Sequence, residues 1–158
     1  MRWWTKRIGA TALLLLLCAQ VASAACREDR VDLRSNGVEV AFNVAIADEP
    51  DERARGLMFV ESMPQFDGML FIYEAPTVAS FWMRNTLIPL DMLFIDPQGV
   101  VQRIHENAIP LDETAIPGGD NVLAVLEING GMSAMLGLSV GTEIRHTAFG
   151  SDAAWPCE

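Results

Sequence analysis

The chain has 158 residues with 21 acidic and 11 basic side chains, a formal net charge of −10, and 51% hydrophobic residues. That length suits one domain with a sizeable core. The acidity disfavours contact with phosphate backbones and anionic lipid headgroups, so neither nucleic acid nor a membrane surface is an expected partner.

The opening segment, MRWWTKRIGATALLLLLCAQVASA, places Arg2, Lys6 and Arg7 ahead of an apolar run from Ala10 to Leu17, followed by Ala22-Ser23-Ala24. This is the pattern of a secretory signal with a small-residue cleavage site. The run falls short of the roughly 20 apolar residues that cross a membrane. Cleavage is expected after Ala24, leaving residues 25–158 as a single mostly-β domain in the periplasm or secreted. A lipoprotein anchored through Cys26 is the rival reading, but Ser23 stands where a lipidation box usually has an aliphatic residue. The signal takes with it 3 of the 11 basic residues, including the sole lysine, and none of the 21 acids, so the mature charge becomes −13.

Cys26 and Cys157 then remain near the two ends of the mature chain. An even pair in an oxidising compartment is expected to form a disulfide. Two free thiols or a metal pair are the alternatives, and no third sulfur or neighbouring histidine supports them.

Asn36-Gly37 between alternating segments predicts a hairpin. In its second strand Val38, Val40, Phe42, Val44 and Ile46 share one face. The stretch DEPDERARGLM predicts a short helix, with Asp48 or Glu49 as cap and Pro50 in the first turn. Further strands are expected at 68–73, 80–85, 90–96, 100–105, 122–128 and 142–149. Asp96-Pro97-Gln98-Gly99 fits a tight turn, and residues 129–137 fit a second brief helix, capped by Asn129 and stopped by Gly137. Residues 106–121 form the longest irregular connection. The fold class is mainly β: a single-domain antiparallel sandwich or partly closed barrel with two short helices.

Polar groups interrupt the apolar pattern in FWMRNTLIPLDMLFID. Strand alternation puts Phe81, Met83 and Asn85 on one face, with Trp82, Arg84 and Thr86 on the other. Asp91 shares a face with Leu93 and Ile95, and Glu127 shares one with Leu123 and Val125. Carboxylates at the ends of buried faces need donors, and Arg55 and Arg84 are candidate partners. Two readings follow. Asn85, Thr86 and Asp91 lock a connection while Glu127 pairs with an arginine; or the same groups line a cleft beside Trp82, whose ring stacks on a flat ligand.

The succession ERARGLMF, GMLFIYEAP, SFWMRNTLIPLDMLFID, GVVQRIHENAIP and VLAVLEINGG, then LGLSVG, resembles the family called domain of unknown function 192, over about residues 38–145. The resemblance implies a small jelly-roll-like sandwich, often behind a signal peptide, and brings no biochemical activity with it. It carries the family's polar positions onto Arg55, Asn85, Asp91 and Glu127, with Trp82 and Met83 between them. Arg84 stands where the family often has lysine, and Met132 and Met135 replace the more polar residues expected there.

His105 and His146 lie far apart and form no zinc motif. Ser133 lacks the full nucleophile-elbow pattern, and no glycine-rich cradle for a nucleotide precedes a long helix. The methionines read as core filling rather than a copper site. No catalytic residue, cofactor or metal is therefore assigned. The expected function is a non-catalytic binding or accessory module of the periplasm or cell envelope, taking a small polar or carbohydrate-like ligand at Arg55, Trp82, Asn85, Asp91 and Glu127. One alternative is an enzyme using Asp91 and Glu127 as acid and base on a cell-wall or glycan fragment, with His105, next to Glu106 in the sequence, as a further candidate. The other is a protein-interaction domain.

Overall fold

A computed structural model describes residues 25–157 as seven strands and two short helices. The expected signal lies outside the described residues. Among these, no helix is long and apolar enough to cross a membrane.

Strands β1 (Arg30–Ser35) and β2 (Val38–Ala47) form the expected hairpin, with φ of 49° at Asn36 and 83° at Gly37. Helix α1 (Pro50–Arg55) starts at Glu49, whose N–H donates to the Glu52 carboxylate at 3.3 Å. There follow β3 (Asp67–Phe81), β4 (Leu90–Ile95), β5 (Val101–Ala108), β6 (Ile116–Asn129), α2 (Met132–Leu136) and β7 (Glu143–Arg145). All belong to one curled sheet in the order β5-β4-β6-β3-β2-β1-β7. Every pairing is antiparallel except β2 with β3. The one parallel pair follows from the crossover bearing α1, which brings the chain back beside the middle of β2 so that Asp67 pairs with Asn43.

The curl nearly closes. Val101 N–H donates to Thr142 O at 2.9 Å, and Ile144 N–H to Gly99 O at 2.7 Å, so the start of β5 meets β7. Two cores result. One holds Leu33, Phe42, Leu93, Ile95, Leu126 and Phe149; on the other face of β4 and β6 lie Phe71, Met83, Met92, Phe94 and Val125. All six residues of β4 are consequently buried.

Strand β3 covers the second core by folding back on itself. Phe71 and Phe81 are ten residues apart, about 33 Å of extended strand, yet their ring centroids lie 5.1 Å apart. Register shifts against β6 between Ile72 and Ser80 mark the bend. The strands expected at 68–73 and 80–85 are thus two halves of one element, and the second ends at Phe81. Much of the connection expected to be irregular is strand as well, because Ile116, Pro117 and Gly119 pair with the returning half of β3. Gly118 makes this possible: a Cβ there would lie 2.2 Å from the Phe94 ring.

Cys26 and Cys157 form a disulfide, with a Cα separation of 5.6 Å, that ties the two ends of the domain together. The strand expected at 142–149 is shorter, and the chain beyond it tucks Phe149 and Ala153 into the first core.

Candidate functional site

Strands β4 and β6 are neighbours, and their register pairs Asp91 with Ile128 and Met92 with Glu127. Side chains alternate along a strand, so Asp91 and Glu127 project from opposite faces of the sheet.

Asp91 is fully buried and fully engaged. Its Oδ1 accepts the backbone N–H groups of Asn107 at 2.8 Å and Gly131 at 2.9 Å, and its Oδ2 accepts that of Ser133 at 2.7 Å. It therefore caps the start of α2 from a distant strand and fastens the end of β5 to the same point. Asn129, the expected cap, instead donates to the Pro64 carbonyl at 2.9 Å. The α2 stop is Gly137, as expected.

Glu127 has the opposite character. It is 4% exposed, and its carboxyl forms no hydrogen bond or ion pair to a described residue. Burial pushes its pKa up to about 8, so the side chain is a neutral acid at pH 7. It lines a cleft of about 310 Å³ whose walls come from α1, from both halves of β3 and from the residues that follow it.

Three guanidinium groups line this cleft. Arg53 donates to the Ile72 carbonyl at 3.0 Å and to the Asp48 carbonyl, and lies 5.4 Å over the Tyr73 ring, so it latches α1 to β3. Arg84 sits 5.4 Å over the ring of Trp82, which is 46% exposed. Arg55 is exposed and forms no ion pair or hydrogen bond to a described residue. The ion pairs among the described residues are Arg27–Asp29, Arg30–Asp32, Arg34–Glu143 and Arg145–Asp32; none includes Glu127. Burial also raises the Tyr73 hydroxyl pKa, with Arg53 opposing and Glu127 adding to the shift.

Asn85 stands behind the wall rather than in it. The strand ends before it, and its φ of 53° turns the backbone. Met83 N–H donates to Asp112 O at 2.8 Å, Phe59 N–H to Asn85 O at 2.8 Å, and Leu111 N–H to Thr86 O at 3.1 Å, which stitches this turn between two other loops. The fold thus brings together Arg55, Trp82 and Glu127, sets Asn85 beside them as a turn residue, and sends Asp91 to the far face. Sequence reasoning missed Arg53 and Tyr73. Arg53 stands two residues from Arg55 in ERAR, and Tyr73 is the sole tyrosine, but neither pattern indicates the bend that brings them to Glu127.

Other candidates carry less. His146 is buried, with Nε2 donating to the Glu28 carbonyl at 2.9 Å and Nδ1 accepting from Ala148 N–H at 3.1 Å. A recess of about 540 Å³ beside the β1–β2 hairpin is lined by Arg34 and Glu143, which neutralise each other. Among the described residues, no group of three His, Cys, Asp or Glu side chains is placed to hold a metal ion.

The geometry can be set beside known proteins. A crystal structure of a protein of unknown function from Novosphingobium aromaticivorans DSM 12444 is 41% identical, covers 73% of this chain and 82% of its own, and superposes with a TM-score of 0.71. One from Sinorhizobium meliloti 1021, described as a candidate transcription regulator, is 36% identical, covers 80% and 98%, and gives a TM-score of 0.75. No curated protein matches the chain. The profile of DUF192, described as "Uncharacterized ACR", matches residues 31–146. With that match spanning most of its length, the chain belongs to the DUF192 family.

Proposed function

We propose that the domain is a non-catalytic binding module whose small polar ligand occupies the cleft over Glu127. The observation that carries this reading is Glu127 itself. Its carboxyl is 4% exposed, has no hydrogen-bond partner among the described residues, and lines an open cleft bordered by Arg55 and Trp82, where the cleft's contents rather than a protein group must satisfy it. A polar ligand would supply the missing partner, and the Trp82 and Tyr73 rings would flank it.

The two-carboxylate enzyme is less well supported, because Asp91 faces away and has its oxygens occupied by backbone N–H groups. The net charge of −10 argues against carrying over a transcription-regulator role from the Sinorhizobium relative. The signal pattern at residues 1–24 and the Cys26–Cys157 disulfide support a place in the periplasm or envelope. Cell fractionation with N-terminal sequencing tests that part: full-length protein in the cytoplasm would refute it.

Binding is tested by screening sugars, sugar acids and other small polar compounds for a rise in melting temperature. The expected hit stabilises the wild type, and Glu127→Ala abolishes its effect. A screen without hits, or with hits that Glu127→Ala leaves intact, would remove this reading.

A further inference from the structure

Three cationic side chains, Arg53, Arg55 and Arg84, line one cleft in a protein whose formal charge is −10. Such concentration of the minority charge focuses a positive potential where the rest of the surface is negative. The three cations are not equivalent. Arg53 is committed to backbone carbonyls and to Tyr73. Arg84 engages only the face of Trp82 and keeps its N–H donors free of described partners, while Arg55 has no described partner at all. Two uncommitted guanidinium forks therefore border a recess with Trp82, Tyr73 and Phe81 in its wall and Glu127 buried within it.

Resting on the binding reading above, we infer that the ligand is an organic oxyanion, a carboxylate or phosphate monoester on a flat ring-sized body, with its charge held by Arg55 and Arg84 and an acceptor atom facing Glu127. A guanidinium fork matches the two oxygens of a carboxylate or phosphate, which favours this class over a simple cation or a fully apolar guest. The aromatic walls fit the flat body. The volume of about 310 Å³ sets the size at one ring with its substituents.

Glu127 adds a proton condition. The ionisable groups lining the cleft with it are Arg53 and Arg55 from α1, Tyr73 from β3 and Arg84 from the segment after β3, of which Tyr73 interacts with it electrostatically, whereas its cross-strand neighbours Met69 and Met92 are apolar. As a neutral acid it donates a hydrogen bond to the ligand; once ionised it loses that donor and repels an anion. Affinity for the oxyanion therefore falls as pH rises past about 8.

The experiment uses matched charged and neutral probes on the disulfide-bonded chain: glucuronate against glucose, and benzoate against benzamide, with binding followed by chemical-shift changes in NMR. The charged member of each pair is expected to bind at least about tenfold tighter, with a dissociation constant of order millimolar for so small a ligand. Arg55→Ala and Arg84→Ala, both at exposed positions, should each weaken the charged probes about tenfold and leave the neutral ones unchanged. Glu127→Gln keeps a neutral donor, so it should bind the charged probes at pH 7 and flatten their pH dependence. Equal binding of charged and neutral probes, or arginine variants without effect, would overturn the oxyanion assignment while the cleft remained a binding site. Absence of any shift in cleft residues with all four probes would also overturn it, and the broader melting screen would then decide the binding reading separately.

Discussion

Asp91 and Glu127 stand one position out of register on adjacent strands, and that single step sends one carboxylate into a ring of backbone N–H donors and the other into an open cleft. Their chemical fates differ accordingly. Asp91 is a structural cap that stabilises a junction of β4, β5 and α2. Glu127 is an acid without a partner among the described residues.

Asp91→Ala removes the acceptor of buried N–H groups of Asn107, Gly131 and Ser133 at one stroke. We expect a loss of about 3–5 kcal/mol in stability, since charge-assisted hydrogen bonds vanish and their donors stay buried. Urea denaturation would measure it. A loss below about 1 kcal/mol would mean that the junction re-forms around water.

Stability should fall with rising pH because of Glu127. Its carboxyl is raised from 4.5 to about 8 in the folded protein, so above pH 4.5 the native state holds a proton that the unfolded chain has released. The contribution is fully present below pH 4.5 and is lost progressively up to about pH 8, amounting to a few kcal/mol. Glu127→Gln should remove this slope in melting curves taken between pH 5 and 9. An unchanged slope in that variant would assign the titration to another group.

Gly118→Ala is a test of the bent β3–β6 arm. Its Cβ would fall 2.2 Å from the Phe94 ring, so that ring or the backbone must move. Overpacking of this kind costs about 1–3 kcal/mol. Gly119→Ala meets no neighbouring atom but sits at φ 98°, so its penalty would come from backbone strain alone. Comparing the two melting temperatures, with cleft resonances as a second readout, separates packing from strain: only Gly118→Ala should disturb residues around Phe81.

The Cys26–Cys157 disulfide closes a loop with a sequence separation of 131. Its reduction should lower stability by roughly 2–5 kcal/mol in the chain-entropy account. Thiol alkylation before and after reduction, with the labelled sites mapped by peptide mass, checks the bond itself: Cys26 and Cys157 should take label only after reduction. Label at Cys26 or Cys157 of the unreduced, folded protein would show free thiols.

Local patterns made several elements legible. Asn36-Gly37 announced its hairpin because a two-residue turn with positive φ has few alternatives. Pro50 and Gly137 marked helix ends for equally local reasons. Strand alternation correctly grouped Asp91 with Leu93 and Ile95, and Glu127 with Val125, but not Glu127 with Leu123, which packs against the first core because the register against β3 shifts between Ala124 and Val122. The same rule failed at Met83 to Thr86, where hydrogen bonds to the 57–60 and 109–112 segments replace the strand by a turn.

The amino-acid order alone determined the β class, the hairpin, the two brief helices, the pairing of the end cysteines and the family. Only the tertiary structure decided which acid is sealed and which is open, because that depends on the β4–β6 register and on the back-folding of β3. Both are set by contacts between residues far apart in the chain, such as Phe71 with Phe81 and Gly118 with Phe94, where the energy comes from packing and no single segment carries its signature.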